Sequence, residues 1–186
     1  DDSKRLTPVQ RDAAYDRIMA GAVAVGVGLA DHEEIDRINI LQATKRAMAQ
    51  AIDALRPPPD FLLIDAVAFP SFLPLWALIK GDRRALAVAA ASIVAKVTRD
   101  RLMARYHEQY PSYNFLIHKG YATPEHLNLL RTFGCCAIHR RSFRPVLQPP
   151  RRVFQLAAYG DGGRGEEREH RSPRVSERAR ASGNVD

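Results

Sequence analysis

Residues 61–82, FLLIDAVAFPSFLPLWALIKGD, contain the pattern that decides the fold. Two short apolar runs, 61–65 and 75–79, lie within it, and each leads to an aspartate, Asp65 or Asp82. Apolar runs of this length between turn residues are typical of buried strands. The sequence therefore predicts two strands, each with a carboxylate where the strand leaves the sheet.

Helix signals surround these two strands. Thr7-Pro8-Val9-Gln10 combines a capping threonine, a proline at the first helical position and a capping-box glutamine. Asp31 with Glu34 and then Asn39 provide further helix starts, and three prolines from Pro57 end that segment. The helices predicted in this way run from Thr7 to about Met19, from Asp31 and again from Asn39 towards Pro57, from about Ala85 to Tyr110, and from Thr123.

Residues 22–29 alternate small and large side chains, with Val23, Val25, Val27 and Leu29 at every second position. A period of two predicts a strand with its large residues on one face. Strands that alternate with helices indicate an α/β domain. The sheet would be thin, because only three strands are visible.

Composition limits the class of protein. A chain of 186 residues is long enough for one domain, and its formal charge of +7 favours a polyanionic partner. The two cysteines are adjacent and cannot form a disulfide framework. No apolar run approaches a membrane span, and the start lacks a signal-peptide pattern. We expect a soluble, monomeric protein of the cytoplasm.

The end of the chain differs from the rest in composition. Apolar periodicity fades beyond Val146, and glycine, arginine, glutamate and serine dominate. Such composition is typical of disorder. The predicted organisation is one domain at 1–146 and a disordered Arg-rich tail at 147–186.

Asp65 and Asp82 are candidate metal ligands, because a carboxylate at a strand end is suited to a hard divalent cation such as Mg²⁺. Two such ions can activate water and stabilise the leaving oxygen in phosphodiester cleavage. The alternative is that both are ordinary turn residues, which are common at strand ends. The pattern alone leaves both possibilities open.

His118-Lys119-Gly120-Tyr121 combines cations, a flexible glycine and an aromatic ring. Such a set is suited to nucleic acid, where Lys119 would meet a phosphate and Tyr121 would pack on a sugar or base. The alternative is a surface loop whose tyrosine covers the core.

A zinc site is a weak interpretation of the histidines and cysteines. Cys135 and Cys136 are adjacent, and neither they nor His139 show the usual spacing of tetrahedral zinc ligands, even with His118 and His126 upstream. His139-Arg140-Arg141 is better interpreted as a basic patch, although either arginine could pair with a helix-end carboxylate.

Seven segments, spread over nearly the whole of residues 2–146, occur in an order that resembles ribonuclease HII. They are DSKRL at 2–6, EIDRINILQAT at 34–44, LID at 63–65, KGD at 80–82, AAASIVAKVTRDR at 89–101, HKGY at 118–121 and HRRSF at 139–143. Each is modest evidence by itself, whereas seven in order are highly specific.

The resemblance implies a ribonuclease H-like α/β fold, a mixed sheet flanked by helices. It also implies a Mg²⁺- or Mn²⁺-dependent endonuclease that cleaves RNA in RNA/DNA hybrids and nicks DNA 5′ of embedded ribonucleotides. Asp65 and Asp82 match the third and fourth of the family's four carboxylates. Tyr121 matches the tyrosine that packs on the sugar at the RNA–DNA junction, and Lys4 matches a lysine near the substrate backbone.

One departure from the family pattern is large. The family's first strand carries an Asp-Glu pair, followed by Gly-Arg-Gly and a second strand, and no equivalent of this segment is found in the 186 residues. Gly163-Arg164-Gly165 is not its equivalent, because no Asp-Glu precedes it and it lies at the wrong end of the chain. We therefore expect a domain that is incomplete at its N-terminus, with the first two strands missing. Two hypotheses follow: a part of an active ribonuclease HII, or a catalytically inactive remnant that only binds nucleic acid.

Overall fold

The computed structural model describes residues 6–66 and 68–147, without the side chains at 145 and 147. Its elements are α1 (Pro8–Gly21), α2 (His32–Asp53), β1 (Leu62–Asp65), β2 (Leu75–Leu78), α3 (Gly81–Arg84), α4 (Leu86–Gln109), a 3-10 turn (Pro111–Tyr113), α5 (Phe115–His118), α6 (Pro124–Phe133) and α7 (Arg144–Leu147). The predicted Arg-rich tail lies outside the described residues, apart from position 147, and stays a prediction.

The helix starts predicted at Thr7, Asp31, Asn39 and Thr123 are confirmed by side-chain caps, and the helix predicted from about Ala85 begins at Leu86 without one. Thr7 accepts the backbone N–H of Gln10, and the Gln10 side chain accepts the N–H of Thr7, which completes a capping box. Asp31 accepts the Glu34 N–H at 2.8 Å. Asn39 interrupts α2 with a φ of 67° and caps its second half, because its side chain accepts two N–H groups of the following turn.

The strands β1 and β2 pair in parallel, with Leu62 opposite Leu75 and Asp65 opposite Leu78. Their carboxyl ends therefore lie at the same edge. The chain leaves β2 through Lys80 in the left-handed conformation, with a φ of 56°, and enters the short helix α3. This pair is the whole sheet among the described residues, so the mixed sheet expected from the resemblance is not seen there.

The strand predicted at residues 22–29 is wrong. This stretch is extended but forms no ladder with any described strand. It packs instead along α2, where a Cβ added to Gly26 or Gly28 would fall within 2.0 Å of a backbone oxygen of that helix. The alternation of side chains was therefore interpreted correctly as an extended chain with one small face, but a strand also needs a partner for its backbone hydrogen bonds.

A buried hydrophobic cluster lies away from the sheet, between α4 and the elements that follow it. It consists of Met103, Tyr113, Phe115 and Leu130. Tyr113 stacks on Phe115 with ring centroids 5.5 Å apart and donates its hydroxyl to the Gly134 carbonyl at 2.9 Å. Helix α4 joins this cluster to the sheet, because its first half packs on α3 and β1.

None of the described helices has the length and apolar character needed to cross a membrane.

Candidate functional site

Asp65 and Asp82 lie at the carboxyl edge of the parallel strand pair. Asp65 ends β1, and one of its carboxylate oxygens accepts the backbone N–H of Gly81 at 2.9 Å. Gly81 is buried, and a Cβ added to it would lie 3.1 Å from the Val88 side chain and 3.6 Å from the Cα of Asp65. The glycine allows the two chain segments to approach, and Asp82 follows it directly.

Asp65 and Asp82 differ in their ion pairing from Asp100, an acidic residue of the family-like segment on α4. Asp100 forms ion pairs with Lys96 at 2.7 Å and with Arg11 at 3.4 Å. Neither Asp65 nor Asp82 forms an ion pair with another residue of the described part of the chain. Two carboxylates without a competing cation form a donor set that suits a hard cation.

Within ranges 6–66 and 68–147, no three histidine, cysteine or acidic side chains come together in a way that could hold a metal ion. The site at this sheet edge consists of two carboxylates and one backbone clamp.

Tyr121 is 55% exposed and lies against two cations of α4. Lys96 Nζ is 5.4 Å from the centre of its ring, and the guanidinium of Arg99 is 5.6 Å from it. This exposure does not fit the alternative interpretation, in which the tyrosine covers the core. It presents an aromatic face beside positive charge, the combination used to bind a nucleic-acid strand.

Lys119 and Gly120 form a tight turn before Tyr121. Lys119 has a φ of 51° and Gly120 a φ of 78°. Arg99 donates to the Lys119 carbonyl at 3.1 Å, which ties the turn to α4. A side chain at Gly120 would also meet Met103 at 3.1 Å, so this position favours glycine for two reasons. Lys4 lies outside the described residues.

The sheet-edge carboxylates and the tyrosine are positioned along one helix. Val88 of α4 packs against Gly81, and Lys96 of α4 lies beside Tyr121. Roughly two helical turns separate these positions, or about 12 Å along the axis. About three to four nucleotides of a strand cover that distance.

A chain of buried histidines lies behind Tyr121. His126 and His139 are 5% and 7% exposed, and their Nε2 atoms are 3.2 Å apart. His126 Nδ1 is 2.9 Å from the Tyr121 carbonyl, and His139 Nδ1 accepts the backbone N–H of Cys136 at 3.0 Å. His118 is also buried and stacks on His126 with ring centroids 4.1 Å apart.

Burial favours the neutral form of His126 and His139. It lowers the pKa of His126, and it lowers the pKa of His139 to about 4, with the nearby His126 as the second cause. Burial also raises the pKa of the Cys136 thiol, whose sulfur lies 3.1 Å from His139 Nδ1. The ring nitrogens of both histidines are engaged by each other and by the backbone, an arrangement unlike that of zinc ligands.

The family-like segment 139–143, whose first three residues were predicted as a basic patch, is held by an acidic side chain that the sequence interpretation did not single out. Asp36 of α2 accepts the backbone N–H groups of Arg141 and Ser142 at 2.6 and 3.0 Å. These hydrogen bonds, with that of the Ser142 hydroxyl as the largest cause, lower the pKa of Asp36. Asp36 lies within the family-like segment 34–44, which is the signal that could have identified it.

Comparison with known proteins identifies one family. The model of the ribonuclease HII family matches residues 1–146. A ribonuclease HII of Geobacillus kaustophilus strain HTA426 is 53% identical over 156 residues, which is 84% of this chain and 60% of the relative. One of Listeria monocytogenes strain HCC23 is 53% identical over 145 residues, 78% of this chain and 56% of the relative.

A ribonuclease HII of Chlamydia muridarum is 52% identical over 147 residues, which is 78% of this chain and 68% of the relative. The chain thus spans between 56% and 60% of the length of the two relatives first described.

Proposed function

Because this chain belongs to the ribonuclease HII family, we propose that it supplies part of the active site of an endonuclease that acts on RNA/DNA hybrids and on DNA with embedded ribonucleotides. The observation that carries the proposal is the clamp between Asp65 and Gly81, which brings Asp65 and Asp82 to one edge of the sheet. Cleavage would occur in the RNA strand, and on the 5′ side of a single ribonucleotide.

The metal would be Mg²⁺ or Mn²⁺, held by Asp65 and Asp82. The donor set fits, since both are carboxylates without a competing cation among the described residues, and Asp65 is held in place by a backbone N–H. Such ions supply activated water and stabilise the charge that develops on the leaving oxygen. The two side chains would bind the metal ions and orient them.

The substrate would lie along α4. Tyr121 offers its exposed ring to the sugar at the RNA–DNA junction, and Lys119 offers its ammonium to a phosphate. Lys96 and Arg99 add positive charge beside the ring. Lys4 is proposed near the substrate backbone from the family pattern alone.

The remaining carboxylates of the family's set belong to an Asp-Glu segment with no match in these 186 residues. The curated relatives are longer than the part matched here. The other two ligands and two further strands would belong to the unmatched part of such a longer protein. The 186 residues alone would bind the nucleic-acid substrate without cleaving it. We also propose that the protein is a monomer and that it acts in the cytoplasm.

Paramagnetic broadening by Mn²⁺ tests the metal site. Added Mn²⁺ should broaden the amide resonances of Gly81 and Asp82 in the full chain, and Asp65→Asn or Asp82→Asn should reduce that broadening at equal metal concentration. Asp53→Asn, at the exposed end of α2, is the matched control for the loss of one charge. Broadening that is indifferent to both substitutions at the sheet edge would contradict the proposal.

A further inference from the structure

The hydrogen-bond partners of the buried histidines determine where each proton lies. A backbone N–H can only donate, so His139 Nδ1 accepts from Cys136 and the ring carries its proton on Nε2. That proton points to His126 Nε2, which must accept it. His126 then carries its own proton on Nδ1 and donates it to the Tyr121 carbonyl.

His118 holds the same turn from the other side. Its Nδ1 accepts the Gly120 N–H at 3.1 Å, and its Nε2–H donates to the Tyr113 carbonyl at 2.6 Å. Its own carbonyl accepts the Tyr121 N–H at 2.9 Å. Lys119 and Gly120 in this turn have consecutive positive φ angles. Hydrogen bonds to both the N–H and the carbonyl of Tyr121 hold the turn in place.

From this geometry we infer that His126, oriented by His139, is a positioning residue for Tyr121 and fixes the presentation of its ring to the nucleic-acid strand. The inference rests on the proposed function, because it assigns a reason for precise placement of a substrate-binding tyrosine. His126 does not touch the substrate. It acts through the Tyr121 backbone, whose carbonyl accepts one further hydrogen bond from the described residues, the Thr123 N–H at 2.8 Å.

The proton arrangement can be measured without any substrate. In the full chain labelled with ¹⁵N-histidine at pH 7, long-range ¹H–¹⁵N correlation should show His126 protonated at Nδ1 only. His139 and His118 should be protonated at Nε2 only. A proton on Nε2 of His126, or a charged ring, would overturn the inference.

Substitution at His126 tests the consequence for binding. His126→Phe keeps the ring against Phe115 and His118 but removes the donor, whereas His126→Asn places an amide N–H near the former Nδ1. Affinity for a duplex with one ribonucleotide, measured by fluorescence anisotropy, should fall about threefold to tenfold in His126→Phe, the equivalent of one neutral hydrogen bond. It should recover to within about twofold of the parent in His126→Asn.

A double-mutant cycle separates positioning from a general loss of structure. Tyr121→Ala should weaken binding about tenfold, as expected for loss of base or sugar stacking. In that background His126→Phe should add less than about twofold, since its effect passes through Tyr121. Equal losses in both backgrounds would overturn the inference and leave the proposed function intact. No effect of Tyr121→Ala on binding would overturn both.

Discussion

Asp65 combines a structural contact with its proposed metal role, and the two can be separated by substitution. One oxygen accepts the N–H of buried Gly81, so Asp65→Ala leaves that donor without its partner. We expect Asp65→Ala to lower the free energy of unfolding by about 1–2 kcal/mol. Asp65→Asn keeps an acceptor oxygen and should cost less than about 0.5 kcal/mol. Urea denaturation of both variants measures the difference, and equal losses would show that the clamp contributes nothing.

Burial of His139 predicts a pH dependence of stability. The native pKa of about 4 lies below the ordinary value of 6.5, so between these values the unfolded chain takes up a proton that the native protein does not. The free energy of unfolding is therefore unaffected by this group above about pH 6.5 and falls as the pH is lowered towards 4. One such group lowers it by about 2 kcal/mol at pH 5.

Urea denaturation at pH 7 and pH 5 measures this loss, with His139→Gln as the control that removes the titrating ring. His126, His118 and His32 face the same group, and its neighbour Cys136 stays a thiol. The loss from pH 7 to pH 5 should be smaller in His139→Gln than in the parent. An undiminished loss in the variant would assign the pH dependence to other groups.

At the scale of elements, the segment 22–29 and α2 make the closest backbone approach available for a test. A Cβ on Gly28 would lie 1.8 Å from the carbonyl oxygen of Ala47, whereas a Cβ on Gly21 has nothing within 4 Å. Gly28→Ala should lower the free energy of unfolding by about 1–3 kcal/mol, because the backbone must shift. Gly21→Ala, at the end of α1, should be neutral or stabilise by up to about 1 kcal/mol. Chemical denaturation of the pair decides whether this packing exists in solution.

Elements with local causes were predictable, and those with distant causes were not. The starts of α1, α2 and α6 depend on a cap within three residues, which a sequence displays directly. Helices α3 and α5 have four residues each, too few to show a helical period. The strand predicted at 22–29 failed because pairing depends on a neighbour that alternation cannot reveal.

The candidate site shows the same division. The position of Asp65 and Asp82 was predictable because each follows an apolar strand, and parallel pairing brings both strand ends to one edge. The histidine chain was missed as a unit. His126 and His139 lie on different segments, and only the fold places their Nε2 atoms 3.2 Å apart. Spacing had argued against zinc, but it could not suggest a hydrogen-bonded pair.

At the scale of the whole molecule, the residues that the structure describes have their apolar surface unevenly covered. The buried cluster lies among α4, the 3-10 turn and α6, while Trp76 of the sheet is 66% exposed and Val23 is 87% exposed. Exposed apolar side chains contribute little to the free energy of folding. We therefore expect the 186-residue chain to unfold below about 60 °C, in the mesophile range or beneath it. A cooperative calorimetric transition above that temperature would contradict the expectation.

The proposed two-metal cleavage would require more ligands than Asp65 and Asp82 provide. Two-metal cleavage holds both ions in register on either side of the scissile phosphate, and a pair of carboxylates is a poor clamp for two divalent cations. With Mg²⁺ or Mn²⁺, the 186 residues should bind a duplex containing one ribonucleotide yet cleave it negligibly. Binding should weaken by about tenfold or more from 50 to 200 mM salt, since it depends on phosphate neutralisation. Gel analysis of a labelled duplex measures cleavage, and robust cleavage abolished by Asp65→Asn would show that two carboxylates suffice.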